Sequence, residues 1–161
     1  MSMRIGLISD THGTLRPDVF EHFDGSVDVI LHAGDIGGTD ILDELRAIAP
    51  VYAVHGNTDG LEVHREAPET VELELEGWKF ALTHGHTLGS PTPSRLADAF
   101  PGADIIIYGH THRPLIERAG GKLVVNPGAA GPARFNLRPS IAVLTLAAGN
   151  EPPAVELIEL G

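Results

Sequence analysis

Arg4-Ile5-Gly6-Leu7-Ile8-Ser9-Asp10-Thr11-His12 couples an apolar run to two oxygen and imidazole donors within one short stretch. The Ile/Leu-rich half predicts a buried strand, so Asp10 and His12 emerge at its carboxyl end, where open α/β sheets bind their ligands. The same arrangement recurs along the chain. Val27–Leu31 leads to Gly34-Asp35, and Val51–Val54 to Gly56-Asn57-Thr58-Asp59. Lys79–Thr83 leads to His84-Gly85-His86, Asp104–Tyr108 to Gly109-His110-Thr111-His112, and Leu123–Val125 to Asn126-Pro127-Gly128. Several strand ends carrying such residues predict one convergent pocket.

Between these strands the pattern is helical. Pro17–Phe23 reads as a short helix. Thr39 or Asp40 can cap a second helix running to Ala49, in which Ile41, Leu42, Leu45 and Ile48 recur at helical spacing until Pro50 stops it. A β-α-β-α-β opening implies right-handed crossovers and parallel pairing. After Pro68 the period changes to two, in Val71-Glu72-Leu73-Glu74-Leu75-Glu76, and Gly77 turns the chain back. That predicts a half-exposed antiparallel hairpin with the glutamates on its solvated face. Pro93–Phe100 predicts a third helix, Leu115–Arg118 with Leu123–Val125 a second hairpin, and Ile141–Leu146 with Val155–Leu160 two closing strands. No repeat or linker interrupts residues 1–161, which read as one α/β domain. Buried strands beside edge-type hairpins suggest two packed mixed sheets flanked by helices, a four-layer α/β/β/α sandwich.

A chain of 161 residues can bury roughly 70% of its unfolded surface. The absence of cysteine excludes disulfides and thiolate metal sites, leaving His, Asp, Glu and Asn as ligands. A net charge of −11 argues against a general nucleic-acid surface, so a phosphate-bearing substrate would be drawn in by local metal charge. No segment approaches the ~20 apolar residues of a membrane span. Met1-Ser2-Met3-Arg4 leads straight into a strand without a signal-peptide pattern, and a cytoplasmic location is expected. Exposed sheet edges make a homo-dimer or tetramer plausible.

Asp10-x-His12, His84-x-His86 and His110-x-His112 each offer two donors two residues apart, which point the same way in extended backbone. The donors divide into two sets. Asp10, His12 and His112 can hold one metal, and Asn57, His84 and His110 a second, with Asp35 between them. Two aspartates and a shared hydroxide leave two divalent ions with net positive charge for a phosphoryl group. Ions about 3.5–4 Å apart lower the pKa of a shared water and stabilise both attacking and leaving oxygens. Manganese is the first expectation, with nickel, iron, zinc or magnesium also compatible with nitrogen and oxygen donors.

The ordered set D-x-H, G-D, G-N-x-D, an isolated His and G-H-T-H, spanning Arg4–Gly128, resembles the calcineurin-like metallophosphoesterase superfamily. It is most similar to the small single-domain bacterial and archaeal phosphodiesterases. The resemblance implies the four-layer sandwich, two-metal hydrolysis of phosphate esters by attack of a metal-bridging hydroxide, and ligand roles for Asp10, His12, Asp35, Asn57, His84, His110 and His112. Many members of the superfamily carry a histidine where this chain has Thr58. A hydroxyl cannot act as the general acid such a histidine supplies, a contribution typically worth about 10²–10⁴-fold. Diesters or aryl esters, whose leaving groups need little protonation, are therefore the expected substrates.

Asp59 is expected to orient neighbouring backbone or a ligand and not to touch metal. His84 is preferred as ligand, with His86 as its alternative or as a phosphate donor. His32 and His55, at strand ends, are as readily structural as functional, while His22 and His64 are expected on the surface. Arg113 can reach a substrate phosphate or form a surface ion pair, and Asn126-Pro127-Gly128 can shape the pocket floor. The alternative function is a catalytically weak metal-binding scaffold of the same fold. Its expected mark, eroded ligands, is absent from this sequence.

Overall fold

Strand β1 (Met3–Ile8) lies at the centre of a five-stranded mixed sheet in the computed structural model, which describes residues 2–133, 136–149 and 151–161. Met1, the first residue of the lead-in considered above, is outside the described residues. β1 pairs in parallel with β2 (Val29–His32), which pairs in parallel with β3 (Val51–Ala53). On its other side β1 is antiparallel to β9 (Ser140–Leu146), which is antiparallel to β10 (Ala154–Glu159). The second sheet has the order β4 (Thr70–Leu75), β5 (Trp78–Thr83), β6 (Ile105–Ile107), β8 (Lys122–Asn126), β7 (Leu115–Ala119). Its centre, β5-β6-β8, is parallel and its two edges are antiparallel hairpin partners.

Strand alternation creates the layers. Ile5, Leu7, Leu31 and Leu144 of the first sheet meet Phe80, Leu82, Ile105, Ile107 and Val125 of the second in one apolar cluster. Ile8, Ile30, Ile141 and Val143 face the other way, against α1 (Pro17–Phe23), α2 (Thr39–Arg46) and α3 (Leu61–Glu66). On the far side Ala81, Ile106 and Val124 pack on Leu96 of α4 (Pro93–Ala99). Helix, sheet, sheet, helix is the four-layer sandwich expected from the sequence. The glutamates Glu72 and Glu74 of β4 are exposed while Val71, Leu73 and Leu75 are half-buried, as period two requires.

Two local expectations fail. The N-cap of α2 is Gly38 and no side chain caps the helix; Thr39 and Asp40 lie inside its first turn. The regular helix ends at Arg46, although Ile48 and Ala49 N–H groups still bond to Leu45. Helix α3 was not anticipated, because only Val63 of its six residues is buried and no apolar period announces it.

Candidate metal centre

The donors gather where the carboxyl ends of β1, β2, β5 and β6 meet, so that both sheets contribute. The loop after β1 is laced to the loop after β2 by Asp10 N–H to Gly34 O, His12 N–H to Asp35 O and Gly13 N–H to Ile36 O, all 2.8–2.9 Å. The loop after β6 is joined to the loop after β5 by Gly109 N–H to His84 O. Asp10, His12, Asp35, His110 and His112 all have positive φ, between 48° and 73°. The left-handed region is disfavoured for residues with a Cβ, and such strain concentrates at functional sites. It also corrects the expectation of extended D-x-H and H-x-H steps: their donors converge through left-handed turns and not through strand alternation.

Asp10 is fully buried. Its Oδ2 accepts a hydrogen bond from Ser9 Oγ at 2.6 Å and from His110 N–H at 3.2 Å. Its Oδ1 accepts none, yet stands 3.4 Å from His112 Nε2, 3.8 Å from His12 Nε2 and 3.9 Å from His84 Nε2. A buried carboxylate oxygen without a hydrogen bond, surrounded by imidazole nitrogens, fits a cation. Among the described residues two overlapping groups of donor atoms have this spacing, Asp10, His12 and His112, and Asp10, Asp35 and His84.

His84 is oriented from behind. Its Nδ1–H donates to the Ala33 carbonyl at 2.8 Å, which directs Nε2 toward Asp35 Oδ2 at 3.2 Å and Asn57 Oδ1 at 3.1 Å. This is the backing a ligating imidazole requires. Burial works against the protonated ring, but the Asp35 hydrogen bond and the charges of Asp10 and Asp35 outweigh it and raise the His84 pKa. Burial likewise opposes ionisation of Asp35, and His84 together with the Thr58 N–H, 3.0 Å from Oδ1, holds this carboxyl well below the usual range.

His110 is half-buried, its ring 5.1 Å from that of His84, and it belongs to neither group of donor atoms. His86 opens a 3-10 turn (His86–Leu88) and its ring lies 5.4 Å from His84 and 6.5 Å from His110. Burial, followed by the charge of His84, lowers the pKa of both His86 and His110. The structure thus places His84 within the cluster and His86 beside it.

Asp59 accepts from three backbone donors, Ile36 N–H and Gly56 N–H on Oδ2 and Gly37 N–H on Oδ1, at 2.9–3.1 Å. It binds the Asp35 loop to the Asn57 loop. His32 closes a buried network: Gly34 N–H donates to Nδ1, Nε2–H donates to Thr11 Oγ1, and that hydroxyl donates to Ile36 O. Burial lowers its pKa to about 4, so His32 is a neutral structural residue. His55 Nδ1–H bonds the Ala67 carbonyl and its ring stacks on exposed His64 at 3.7 Å. His22, expected on the surface, is half-buried in the last turn of α1, and Arg113 is exposed. The Asn126 amide donates to Gly109 O and Thr111 Oγ1 and accepts from Gly128 N–H, which fixes the His110–His112 loop from below.

The glycines beside the donors are dictated by space. A Cβ on Gly34 would stand 2.7 Å from His84 Nδ1, and one on Gly109 would strike Ser9 Oγ and Asp10 Oδ2. Residues missed in the sequence are Ser9, whose hydroxyl ends an otherwise apolar run, and Ala33, which acts through its carbonyl and so leaves no side-chain signal.

Residues 3–149 match the calcineurin-like phosphoesterase superfamily domain. A "probable metallophosphoesterase" of Methanothermobacter thermautotrophicus is 38% identical over 151 residues, covering 89% of this chain and 86% of that protein. A phosphodiesterase of Methanocaldococcus jannaschii is 32% identical over 141 residues, covering 78% and 83%. Among solved structures, Vps29 of Entamoeba histolytica complexed with zinc superposes with a TM-score of 0.76 at 27% identity, covering 98% of this chain and 99% of that one.

Proposed function

Because the chain belongs to the calcineurin-like phosphoesterase superfamily, we propose that it is a metal-dependent phosphodiesterase acting on small phosphate esters. The observation that carries this reading is the buried Asp10 Oδ1, free of hydrogen bonds and faced by three imidazole nitrogens. Asp10, His12 and His112 would hold one divalent ion and Asn57, His84 and His110 the other, with Asp35 between them. When bound, such a pair supplies Lewis acidity to the phosphoryl oxygens and ionises a water at neutral pH.

The chain's own residues set the rest. Ser9 and the His110 N–H bind one oxygen of Asp10 and leave the other for the centre. The Ala33 carbonyl keeps the His84 Nε2 lone pair available once its proton is displaced, so metal uptake should release protons. Asn57 contributes a neutral oxygen, which preserves positive charge for an anionic substrate. His86, beside the cluster and largely neutral, is suited to hydrogen-bond a phosphoryl oxygen. Asp59 positions the Asp35 and Asn57 loops without reaching the reacting atoms. Thr58 offers no titratable proton to the leaving group, which favours esters with good leaving groups. Manganese is the first ion to test.

The test is chelator-stripped protein assayed on a bis-aryl phosphodiester and the matching monoester before and after adding manganese, nickel or zinc. Diesterase activity restored by metal and lost in Asp35→Asn and His110→Ala is the expected result. Metal binding without turnover would favour the second reading, a metal-binding scaffold of the same fold; the Vps29 structure that this chain matches over 98% of its length is a complex with zinc.

A further inference from the structure

Two clefts adjoin the centre, and the chemistry of their walls differs. One, of about 310 Å3, is lined by Gly37, Thr58, Asp59, Leu61, Glu62 and Val63. The other, of about 380 Å3, is lined by Ser90, Pro91, Thr92, His110 and Thr111 with Gly89. The first abuts the donors through Thr58, which lines it and whose N–H holds Asp35 Oδ1, while the preceding residue, Asn57, lies at His84 Nε2. Among the described residues its wall contains no cation. The Asp59 carboxylate is directed into backbone N–H groups, and the remaining charge is Glu62. Leu61, the first residue of α3, is 76% exposed at this wall, more than any other large apolar side chain among the described residues, while its neighbour Val63 is 3% exposed. An anionic group would meet Glu62 and no counter-charge; a flat apolar group would cover Leu61 and remove it from water.

Resting on the phosphodiesterase reading above, we propose that the Thr58–Val63 cleft receives one ester arm of the substrate, that this arm is uncharged and apolar or aromatic, and that Leu61 determines this specificity. The hydroxyl-bearing second cleft is left for the other arm. A substrate whose first arm ends in a phosphate or carboxylate would be disfavoured at this wall.

Leu61 lies outside the core, so its replacement should leave the fold intact. The test is calorimetric binding of phenylphosphonate and methylphosphonate to the manganese-loaded protein, which needs no turnover. The parent should bind the phenyl compound about tenfold more tightly, the size of discrimination one small apolar contact supports. Leu61→Ser should bring the two affinities within about twofold, and Leu61→Met should restore the preference. Equal affinities in the parent, or a preference unchanged in Leu61→Ser, would overturn the assignment. Binding of neither compound would overturn it together with the proposed function. A phenyl preference lost in Leu61→Ser, in a protein that hydrolyses no diester, would uphold the cleft and refute the phosphodiesterase reading alone.

Discussion

Replacing Asp59 with alanine removes the acceptor for three backbone donors at once, Ile36 N–H, Gly37 N–H and Gly56 N–H. A hydrogen bond to a charged group is worth roughly 1.5–3 kcal/mol when its partner would otherwise be buried unpaired. Two of these bonds are part-buried and the Gly37 bond is exposed, where water can replace the carboxylate. Taking the low end for the first two and little for the third gives about 3 kcal/mol. For a chain of this size each kcal/mol moves Tm by roughly 2–4 °C, so Asp59→Ala should melt about 10 °C lower in chelator. The loops it joins carry Asp35 and Asn57, so metal affinity should also fall, by about 10–100-fold. Thermal unfolding in chelator and calorimetric metal titration read the two effects separately. A variant melting within about 2 °C of the parent with unchanged metal affinity would refute the reasoning.

Gly109→Ala would press a methyl group onto Ser9 Oγ and Asp10 Oδ2, and should weaken metal binding by at least about tenfold in a calorimetric titration. Thr58→His should raise turnover of alkyl diesters by about 10² or more while changing aryl diesters little; equal gains on both would contradict the assigned lack of a leaving-group acid. For pH, His32 is held neutral with a folded pKa near 4 against 6.5 for the free side chain. The unfolded chain therefore binds the extra proton, and this contribution to stability is complete above about pH 6.5 and lost as pH falls toward 4. Urea unfolding in chelator should show a shallower pH dependence between these limits in His32→Gln than in the parent.

Strand ends are legible because apolar runs stop abruptly: Ile8 before Ser9-Asp10, Leu82 before Thr83-His84, Tyr108 before Gly109-His110. The order of donors needed no structure, since Asp, Asn and His beside Gly at successive strand ends is a pattern of residue type alone. What remained hidden depends on backbone and on partners distant in sequence. The left-handed turns at Asp10, His12, Asp35, His110 and His112 have no signature in residues that normally avoid them. Three backbone groups decide the role of Asp59, and a carbonyl decides the orientation of His84. Helix α3 rests on one buried valine. The capping role assigned to Thr39 or Asp40 failed because Gly38 takes that position in extended backbone and the helix starts without a side-chain acceptor.

Asp10, His12 and Asp35 follow strands of one sheet, whereas His84, His110 and His112 follow strands of the other. An ion held by both groups would rivet the two halves of the sandwich at one end of their shared seam, joining positions as far apart in sequence as Asp10 and His112. With the ligand set proposed above, neither half alone would present all the donors, so full coordination would follow docking of the sheets. Metal loading would then lock an already assembled interface and slow its opening, protecting the amides of the strand ends on both sides together.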